Sequence, residues 1–174
     1  ILSVTMQAKP HLTIRQIVLF GMLGALTFGA KYVMSALPNI EPVSLLVMVY
    51  AVVIGRKALY PIYLYVAMEI MVYGLGTWNF NYLYVWAILF VPAYFLRKMT
   101  HPLTWAILSA SFGLLFGLLC APVDAFIGGI SYAATKWTMG ITYDLLHCGG
   151  NFVMALVLFV PLRQLLTKLY AKVQ

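Results

Sequence analysis

Residues 103–121 read Leu-Thr-Trp-Ala-Ile-Leu-Ser-Ala-Ser-Phe-Gly-Leu-Leu-Phe-Gly-Leu-Leu-Cys-Ala and contain no charged side chain. A helix of about 20 apolar residues is long enough to cross the hydrocarbon core of a bilayer. The whole chain has a similar character: 64% of its 174 residues are hydrophobic and 9% are charged, where about half and about a quarter are usual. This composition indicates a polytopic membrane protein. It excludes a soluble α/β enzyme, a disordered chain and a disulfide-rich secreted domain.

Six segments bounded by charged pairs or by clusters of Pro, Gly and Asn are candidate spanning helices. Six spans of about 20 residues account for about 120 residues and leave only short loops. The sequence therefore predicts an all-α integral membrane protein in which residues 1–174 form a single six-helix transmembrane domain. The predicted spans are residues 13–36, 41–55, 58–75, 81–96, 103–121 and 138–162.

The positive charges are distributed unevenly between the two ends of these spans. Nine of the eleven Lys and Arg residues fall in the two terminal tails and in the loops after the second and fourth spans. Only Lys31 and Lys136 fall in the other half. Basic residues gather on the cytoplasmic side of membrane proteins, so the pattern predicts that both termini lie inside the cell. Because no basic stripe exists outside short segments between helices, we expect no nucleic-acid partner.

The opposite, outer end of the predicted bundle carries amides and aromatic rings. Five aromatic residues fall near this boundary: Trp78, Tyr82, Tyr84, Trp86 and Trp137. They are consistent with the interfacial aromatic belt of membrane proteins, or with rings that close over a ligand. Asn79 and Asn81 favour the second interpretation slightly, because amides beside aromatic rings can orient a polar heterocycle in a mostly apolar pocket.

Three ionisable residues fall in or beside predicted spans, where a charge costs about 2.5–3.5 kcal/mol at the helix centre. Lys31 could extend its ammonium to the headgroups or contact a ligand. Glu41 could complement the dipole at the start of the second helix. Glu69 has no nearby loop, so it must be protonated, paired or facing water, and Lys31 is a possible partner.

The last predicted helix carries a polar stripe. Gly140, Asp144, His147 and Asn151 are spaced by 4, 3 and 4 residues and therefore share one face, which Tyr143 borders. Such a face contacts protein or water rather than lipid. It could form hydrogen bonds between helices, worth about 0.6 kcal/mol each, or it could face a ligand. Asp144 and His147 lack an obvious third ligand, so we predict no metal site.

The first predicted helix carries small residues at every fourth position, Gly21, Ala25 and Gly29. A face of this kind allows another helix to approach closely, and close packing drives helix association in lipid. The repeat could arise by chance, could pack against another helix of this chain, or could be a docking face for another membrane protein.

Several motifs that would define an enzyme are absent from the sequence. It contains no G-x-x-x-x-G-K-[ST], no H-E-x-x-H and no G-x-S-x-G. The chain therefore lacks this nucleotide-binding motif with which to use ATP itself, and it lacks these hydrolase motifs as well. We expect neither enzymatic activity nor a resident cofactor.

Together these features resemble the substrate-binding S component of energy-coupling factor (ECF) vitamin transporters. The resemblance covers essentially the whole chain and rests on six short spans, both termini inside and the small-residue repeat of the first helix. It also rests on residues 37–44 (Leu-Pro-Asn-Ile-Glu-Pro-Val-Ser) and 78–86 (Trp-Asn-Phe-Asn-Tyr-Leu-Tyr-Val-Trp). It implies a subunit in the plasma membrane of a prokaryote that binds a vitamin at the extracellular side. A transmembrane coupling subunit and two ATPase subunits would then assist its delivery inward.

The resemblance also implies roles for individual residues. Family members dock through an Ala-x-x-x-Ala-type face on the first helix, and Gly21, Ala25 and Gly29 occupy the matching repeat with Gly in place of Ala at two positions. The family's pocket is built from the outer loops and the outer halves of the last three helices. By position, this implies the following ligand-binding residues: Asn39, Trp78, Asn79, Asn81, Tyr84, Asp124, Tyr143, Asp144 and His147.

The overall character of the sequence is similar to that of family members assigned to cobalamin, which is therefore the favoured ligand. A pyridine- or pyrimidine-like vitamin precursor is the alternative ligand. Two other functions stay open. One is a self-sufficient secondary transporter in which Glu69, Asp144 and His147 relay protons, although no inverted repeat is detectable. The other is a small membrane enzyme with Asp144 and His147 as acid and base, although no nucleophile accompanies them.

Overall fold

The computed structural model describes residues 12–37 and 40–174, and the regular secondary structure of these residues is entirely helical. The helices are α1 (Ile14–Val33), α2 (Val43–Ile54), α3 (Leu59–Tyr73), α4 (Thr77–Phe95) and α5 (Pro102–Ala171), with a 3-10 helix over Gly55–Ala58. The predicted all-α fold class is confirmed for the described part of the chain.

The last helix, α5, is a hairpin of two arms rather than a straight rod. Gly129 has φ 84° and ψ 171°, a conformation open to glycine because it has no Cβ. The arms, residues 102–128 and 130–171, run antiparallel, and Trp105 stacks on Phe159 with ring centroids 4.2 Å apart. We expected residues 122–137 to form a loop because they contain Pro122 and two glycines. That expectation is wrong, because only Gly129 departs from helical geometry within them.

The shortest α-helix, α2, lies at the centre of the molecule. Ten of its twelve residues are buried, and it packs against α4 and α5. A helix that is apolar on every face must be surrounded by protein or lipid, and α2 has only Ser44 and Tyr50 as polar residues. The Tyr50 hydroxyl donates to the Leu23 carbonyl at 3.1 Å, which joins α2 to α1. The helices α1, α4 and α5 therefore pack against α2.

The helices α1 and α3 run side by side in the same direction, and α4 runs back along α3. Phe20 of α1 stacks on Tyr60 of α3 with ring centroids 5.9 Å apart. The Tyr63 hydroxyl donates to the Leu83 carbonyl at 2.7 Å. This arrangement brings the last turns of α1 and α3 together with the first turns of α4.

Most of the described basic residues, Lys31 and Lys136 excepted, lie at the other end of the molecule. Lys57 donates to the side-chain oxygen of Gln16 at 3.1 Å, near the start of α1. Arg163 donates to the carbonyls of Met99 and Arg97 at 2.9 and 3.4 Å. Because α1 has 20 residues, it is about 30 Å long. The two ends of the molecule are thus separated by roughly the thickness of a bilayer core.

Three helical stretches within the described residues are long and apolar enough to cross a membrane: Ile14–Val33, Val43–Tyr73 and Pro102–Ala171. The second includes a reversal at Gly55, where φ is 70°, and the third includes the reversal at Gly129. Large apolar side chains such as Ile14, Phe126 and Ile130 are exposed on the outside of the bundle. An exposed apolar surface of this kind is typical of a protein that a bilayer surrounds.

Candidate ligand-binding site

A cavity of about 500 Å³ lies where the last turns of α1 and α3 meet the start of α4. Pockets that bind small organic molecules usually have volumes of about 300–1,000 Å³. The cavity lies at the end of the molecule opposite Lys57 and Arg163. It is lined by Lys31, Tyr32, Met34, Ser35, Leu37, Glu41, Glu69, Tyr73, Trp78 and Tyr82.

A buried ion pair forms one wall of the cavity. The Lys31 ammonium lies 2.8 Å from Oε2 of Glu69 and donates to the Tyr82 hydroxyl at 3.1 Å. The side chains of Lys31 and Glu69 are 22% and 2% exposed. The pairing of Glu69 with Lys31, which the sequence offered as one of three possibilities, is confirmed.

One carboxylate oxygen of Glu69 accepts no hydrogen bond from the described residues. The Oε1 atom of Glu69 is buried and has no hydrogen-bond partner among the described residues. A buried acceptor that lacks a donor carries a desolvation penalty of about 1–3 kcal/mol, and more when it is charged. Glu41, in the segment before α2, also lines the cavity. Withdrawal from water raises the pKa of the Glu41 carboxyl, and the nearby Lys31 ammonium opposes that shift.

Aromatic rings form the wall beside the ion pair. Tyr73, Trp78 and Tyr82 line the cavity, and Trp78 meets Tyr82 edge-to-face with ring centroids 5.3 Å apart. The Lys31 ammonium lies 4.9 Å from the centre of the Tyr82 ring. The Tyr82 ring also contacts Trp86, with ring centroids 5.3 Å apart. Ring faces attract cations through their quadrupole, so this wall favours positive charge.

The turn between α3 and α4 places two of these rings. Gly74, with φ 79°, ends α3, and Gly76 is extended. The Asn79 side chain accepts the Gly76 N–H, which holds the first turn of α4 in place. For this reason α4 begins earlier than the predicted span of residues 81–96. Trp78 and Tyr82 therefore lie on helix, four residues apart and on one face.

Among the nine residues that the family resemblance implied for ligand binding, Trp78 lines this cavity. Asn39 lies outside the described residues. Asn79 caps α4, as described above. The Tyr84 hydroxyl donates to the Leu119 carbonyl at 2.6 Å and lies 3.1 Å from Oδ1 of Asn81. Asn79, Asn81 and Tyr84 thus take part in contacts within the bundle, and their binding of a ligand stays a prediction.

The other four residues of that set lie on the α5 hairpin. Asp124 pairs with Lys136 next to the reversal at Gly129. Tyr143 is exposed on the outside of the hairpin. Asp144 and His147 are buried between the two arms. None of these four lines the cavity at the ends of α1, α3 and α4, and ligand binding by them stays a prediction.

The polar stripe of the last predicted helix packs against the first arm of α5. The Asn151 amide donates to the Ser109 carbonyl at 3.1 Å, and Oδ1 of Asp144 accepts the Gly117 N–H at 3.1 Å. His147 is 2% exposed, and neither of its ring nitrogens has a partner within the described chain. Hydrogen bonding between helices, one of the two interpretations of this stripe, is therefore present.

Two glycines that the sequence interpretation overlooked allow this contact. A Cβ on Gly113 would lie 2.8 Å from the main-chain carbonyl carbon of His147, and a Cβ on Gly117 would lie 2.5 Å from Oδ2 of Asp144. Both distances are shorter than normal packing contacts, so the arms approach this closely because both residues are glycines. Their spacing of four residues, the same as in the repeat on the first helix, was the available signal.

The small-residue repeat of α1 faces away from the rest of the bundle. A Cβ on Gly21 or Gly29 would meet no atom within 4 Å in the described structure, and Ala25 is exposed. Gly24 instead forms the packed face, where a Cβ would lie 3.0 Å from Leu64. Packing within the described chain therefore does not use this repeat.

The sequence analysis also missed part of the cavity wall. Tyr73 was not singled out, and Tyr82 was noted only as a boundary aromatic. Both positions carry a signal in their spacing, because Glu69 and Tyr73 are four residues apart, as are Trp78 and Tyr82, so each pair shares a helix face.

Comparison of the chain with family models, with curated proteins and with solved structures gives no match.

Proposed function

We propose that this chain is the substrate-binding membrane subunit of an ATP-driven importer of the ECF type. The single observation that carries the proposal is the cavity. In it a largely buried ion pair, with one carboxylate oxygen that has no partner, lies against aromatic rings at one end of an otherwise apolar bundle. Ionisable groups are expensive in a membrane and usually mark a ligand or ion path. The sequence lacks a nucleotide-binding motif, so the energy for transport would come from partner ATPases.

The proposed topology treats each of six helical segments as one span: α1, α2, α3, α4 and the two arms of α5. Support comes from the reversals at Gly55 and Gly129, which divide the two longest apolar stretches. The basic residues at the end opposite the cavity support an orientation with both termini in the cytoplasm of a prokaryotic cell. In that orientation the cavity opens to the outside.

The size of the cavity bears on the substrate. A volume of about 500 Å³ is suited to a small heterocycle. This volume favours a pyridine- or pyrimidine-like vitamin or precursor over cobalamin, because the corrin ring system is several times larger than a single heterocycle. We therefore propose a small vitamin-like heterocycle as the transported molecule.

The open face of α1 supports the proposed partners. Gly21, Ala25 and Gly29 form a smooth strip that this chain does not cover within its described residues. A helix of a transmembrane coupling subunit could pack closely on that strip, and the coupling subunit would carry two ATPase subunits.

The experiment that tests the function has two parts. Protein purified from membranes should carry a small heterocycle, identified by mass spectrometry, and should bind it again after its removal by dialysis. Vesicles that hold this chain alone should not accumulate the ligand, whereas vesicles that also hold the coupling and ATPase subunits with ATP should do so. Concentrative uptake by the chain alone, driven by a proton gradient, would establish a secondary transporter instead.

A further inference from the structure

The charges that line the cavity do not balance. Two carboxylates, Glu41 and Glu69, lie beside one ammonium, that of Lys31, and no other described residue that lines the cavity carries a charge. When both carboxylates are ionised, the cavity holds one negative charge in excess. An unbalanced charge in a poorly hydrated site is unfavourable, so a ligand with a positive charge would stabilise it.

The hydrogen bonds of the ion pair leave one carboxylate oxygen of Glu69 without a donor. The Lys31 ammonium is already held by Oε2 of Glu69 and by the Tyr82 hydroxyl. The second carboxylate oxygen of Glu69, Oε1, has no partner among the described residues, although the side chain is 2% exposed. A charge-assisted hydrogen bond from a ligand would satisfy it and would be stronger than a neutral one.

The aromatic wall has the same preference. Tyr73, Trp78 and Tyr82 lie on the cavity, and the centroid of the Trp78 ring is 6.4 Å from that of Tyr73 and 5.3 Å from that of Tyr82. Clusters of rings at this spacing bind organic ammonium groups through cation–π attraction, which strengthens when the site is shielded from water. An anionic ligand would face two carboxylates and the negative faces of the rings.

On the basis of the proposed function, we propose that the cavity binds a small organic cation, an aromatic heterocycle that carries a protonated amino group. The amino group donates to Oε1 of Glu69 and interacts with the Glu41 carboxylate, while the ring lies against Trp78 and Tyr82. Lys31 is a positioning residue, which holds the Glu69 carboxylate in place.

Matched pairs of compounds test this charge preference. Pyridoxamine and pyridoxine share a ring and differ in an amino against a hydroxyl group, as do 4-(aminomethyl)pyridine and 4-pyridinemethanol. Calorimetric titration of the purified chain should show that the amine binds at least tenfold more tightly than the alcohol in at least one pair. Any ligand that co-purifies should carry a protonated nitrogen.

Two substitutions test whether the two carboxylates cause the preference for the amine. Glu69→Gln and Glu41→Gln should each reduce the preference for the amine about tenfold, whereas Lys98→Gln, a change of charge at the opposite end of the molecule, should leave it unaltered. Because Glu69→Gln removes the partner of Lys31 and could prevent folding, Glu41→Gln, which keeps that pair, decides the test if Glu69→Gln is not recovered.

The inference and the proposed function fail in different ways. Equal binding of amines and alcohols, a neutral or anionic co-purified ligand, or an unchanged preference in Glu41→Gln would overturn the cation inference and leave the importer proposal standing. If none of the compounds binds and no small molecule co-purifies, the binding function itself is contradicted.

Discussion

Lys31 connects three helices through one ammonium group. It lies on α1, and its ammonium contacts Glu69 on α3 and Tyr82 on α4. A buried ion pair contributes little net stability compared with an apolar pair, but its loss on one side leaves an uncompensated charge. The contact therefore fixes how the ends of the three helices meet, which is what shapes the cavity.

This view of the ion pair predicts the outcome of a double-mutant cycle. Lys31→Met should destabilise the protein by about 3 kcal/mol, because Glu69 stays buried without its partner. The double variant Lys31→Met with Glu69→Met should recover most of that loss. Thermal unfolding in detergent measures both, with Lys98→Met at the exposed basic end as the control. Additive losses in the double variant would show that the two side chains are not coupled.

The raised pKa of Glu41 leads to a prediction about how ligand affinity depends on pH. The charged or titratable groups near Glu41 include Lys31, Glu69, Tyr65 and Tyr82. Its raised pKa means that the empty cavity keeps a proton on Glu41 at pH values above the ordinary 4.5 of this side chain. A cation prefers the ionised form, so binding releases a proton. Affinity should therefore rise with pH above that value and level off once Glu41 is ionised.

Calorimetry in buffers of different ionisation enthalpy measures the released proton directly. Glu41→Gln should flatten the pH profile. A profile that keeps its slope in Glu41→Gln would assign the titration to another group.

At the scale of helices, glycine decides which faces pack and which stay open. Gly113 and Gly117 let the arms of α5 approach until side chains meet main chain. Gly21 and Gly29 carry the same spacing on α1, yet a Cβ on either would touch nothing in the described structure. The same small-residue pattern therefore serves a contact within the chain in one helix and remains available in another.

The close contact between the two arms of α5, at Gly113 and Gly117, leads to a prediction about stability. Gly113→Ala would place its Cβ 2.8 Å from the main-chain carbonyl carbon of His147, and the arms would have to separate. We expect a destabilisation of about 1–3 kcal/mol, measured by thermal unfolding in detergent. Gly149→Ala on the same hairpin is the matched control, because a Cβ there meets no atom within 4 Å. Equal stability of the two variants would contradict the close contact.

The open face of α1 gives a prediction about transport. Gly21→Leu or Ala25→Leu should leave ligand affinity unchanged, because neither residue lines the cavity, and should abolish uptake by blocking the coupling subunit. Ligand titration and uptake into vesicles measure the two effects separately. Gly149→Leu places the same bulk on another open face and should transport normally. Full uptake by both α1 variants would remove the docking role.

Hydropathy located the helices because lipid imposes a simple length requirement, and the predicted span 13–36 encloses α1 with a few residues to spare. Loops were harder to predict. Pro122 and Gly128 favour turns in water, but in α5 they lie within helix and only Gly129 reverses the chain. The start of α4 was missed because it depends on one side-chain contact, from Gly76 to Asn79.

The candidate site was predictable only in part. Lys31 and Glu69 drew attention because charges are rare in apolar segments, and that argument needs no knowledge of packing. The polar stripe with Asp144 and His147 was equally visible, but periodicity does not say which neighbouring helix covers a face. The structure places it against the first arm of α5, away from the cavity.

At the scale of the whole molecule, the two ends differ in chemistry. One end holds the acidic, aromatic cavity, and the other holds basic side chains such as Lys57 and Arg163 that bind oxygen atoms of neighbouring segments. The helices between them present apolar side chains outward. This arrangement is typical of a membrane protein with distinct outer and inner faces.

Cysteine labelling of intact cells tests this orientation. In a background with Cys120 and Cys148 replaced by Ala, Leu75→Cys should react with an impermeant maleimide from outside, since Leu75 is 84% exposed beside the cavity end. Lys98→Cys, at the basic end, should react only after the cells are permeabilised. The reverse pattern would invert the proposed topology and turn the cavity towards the cytoplasm.

The reversal at Gly129 has a consequence for biogenesis. Asp124 and Lys136 flank it and neutralise each other, so in the proposed topology the tip that crosses the membrane carries no net charge. The close contact at Gly113 and Gly117 would let the two arms pack together while both are still leaving the translocon. The nascent chain can therefore deliver residues 102–171 to the bilayer as one insertion unit, with each arm shielding the polar groups of the other from lipid.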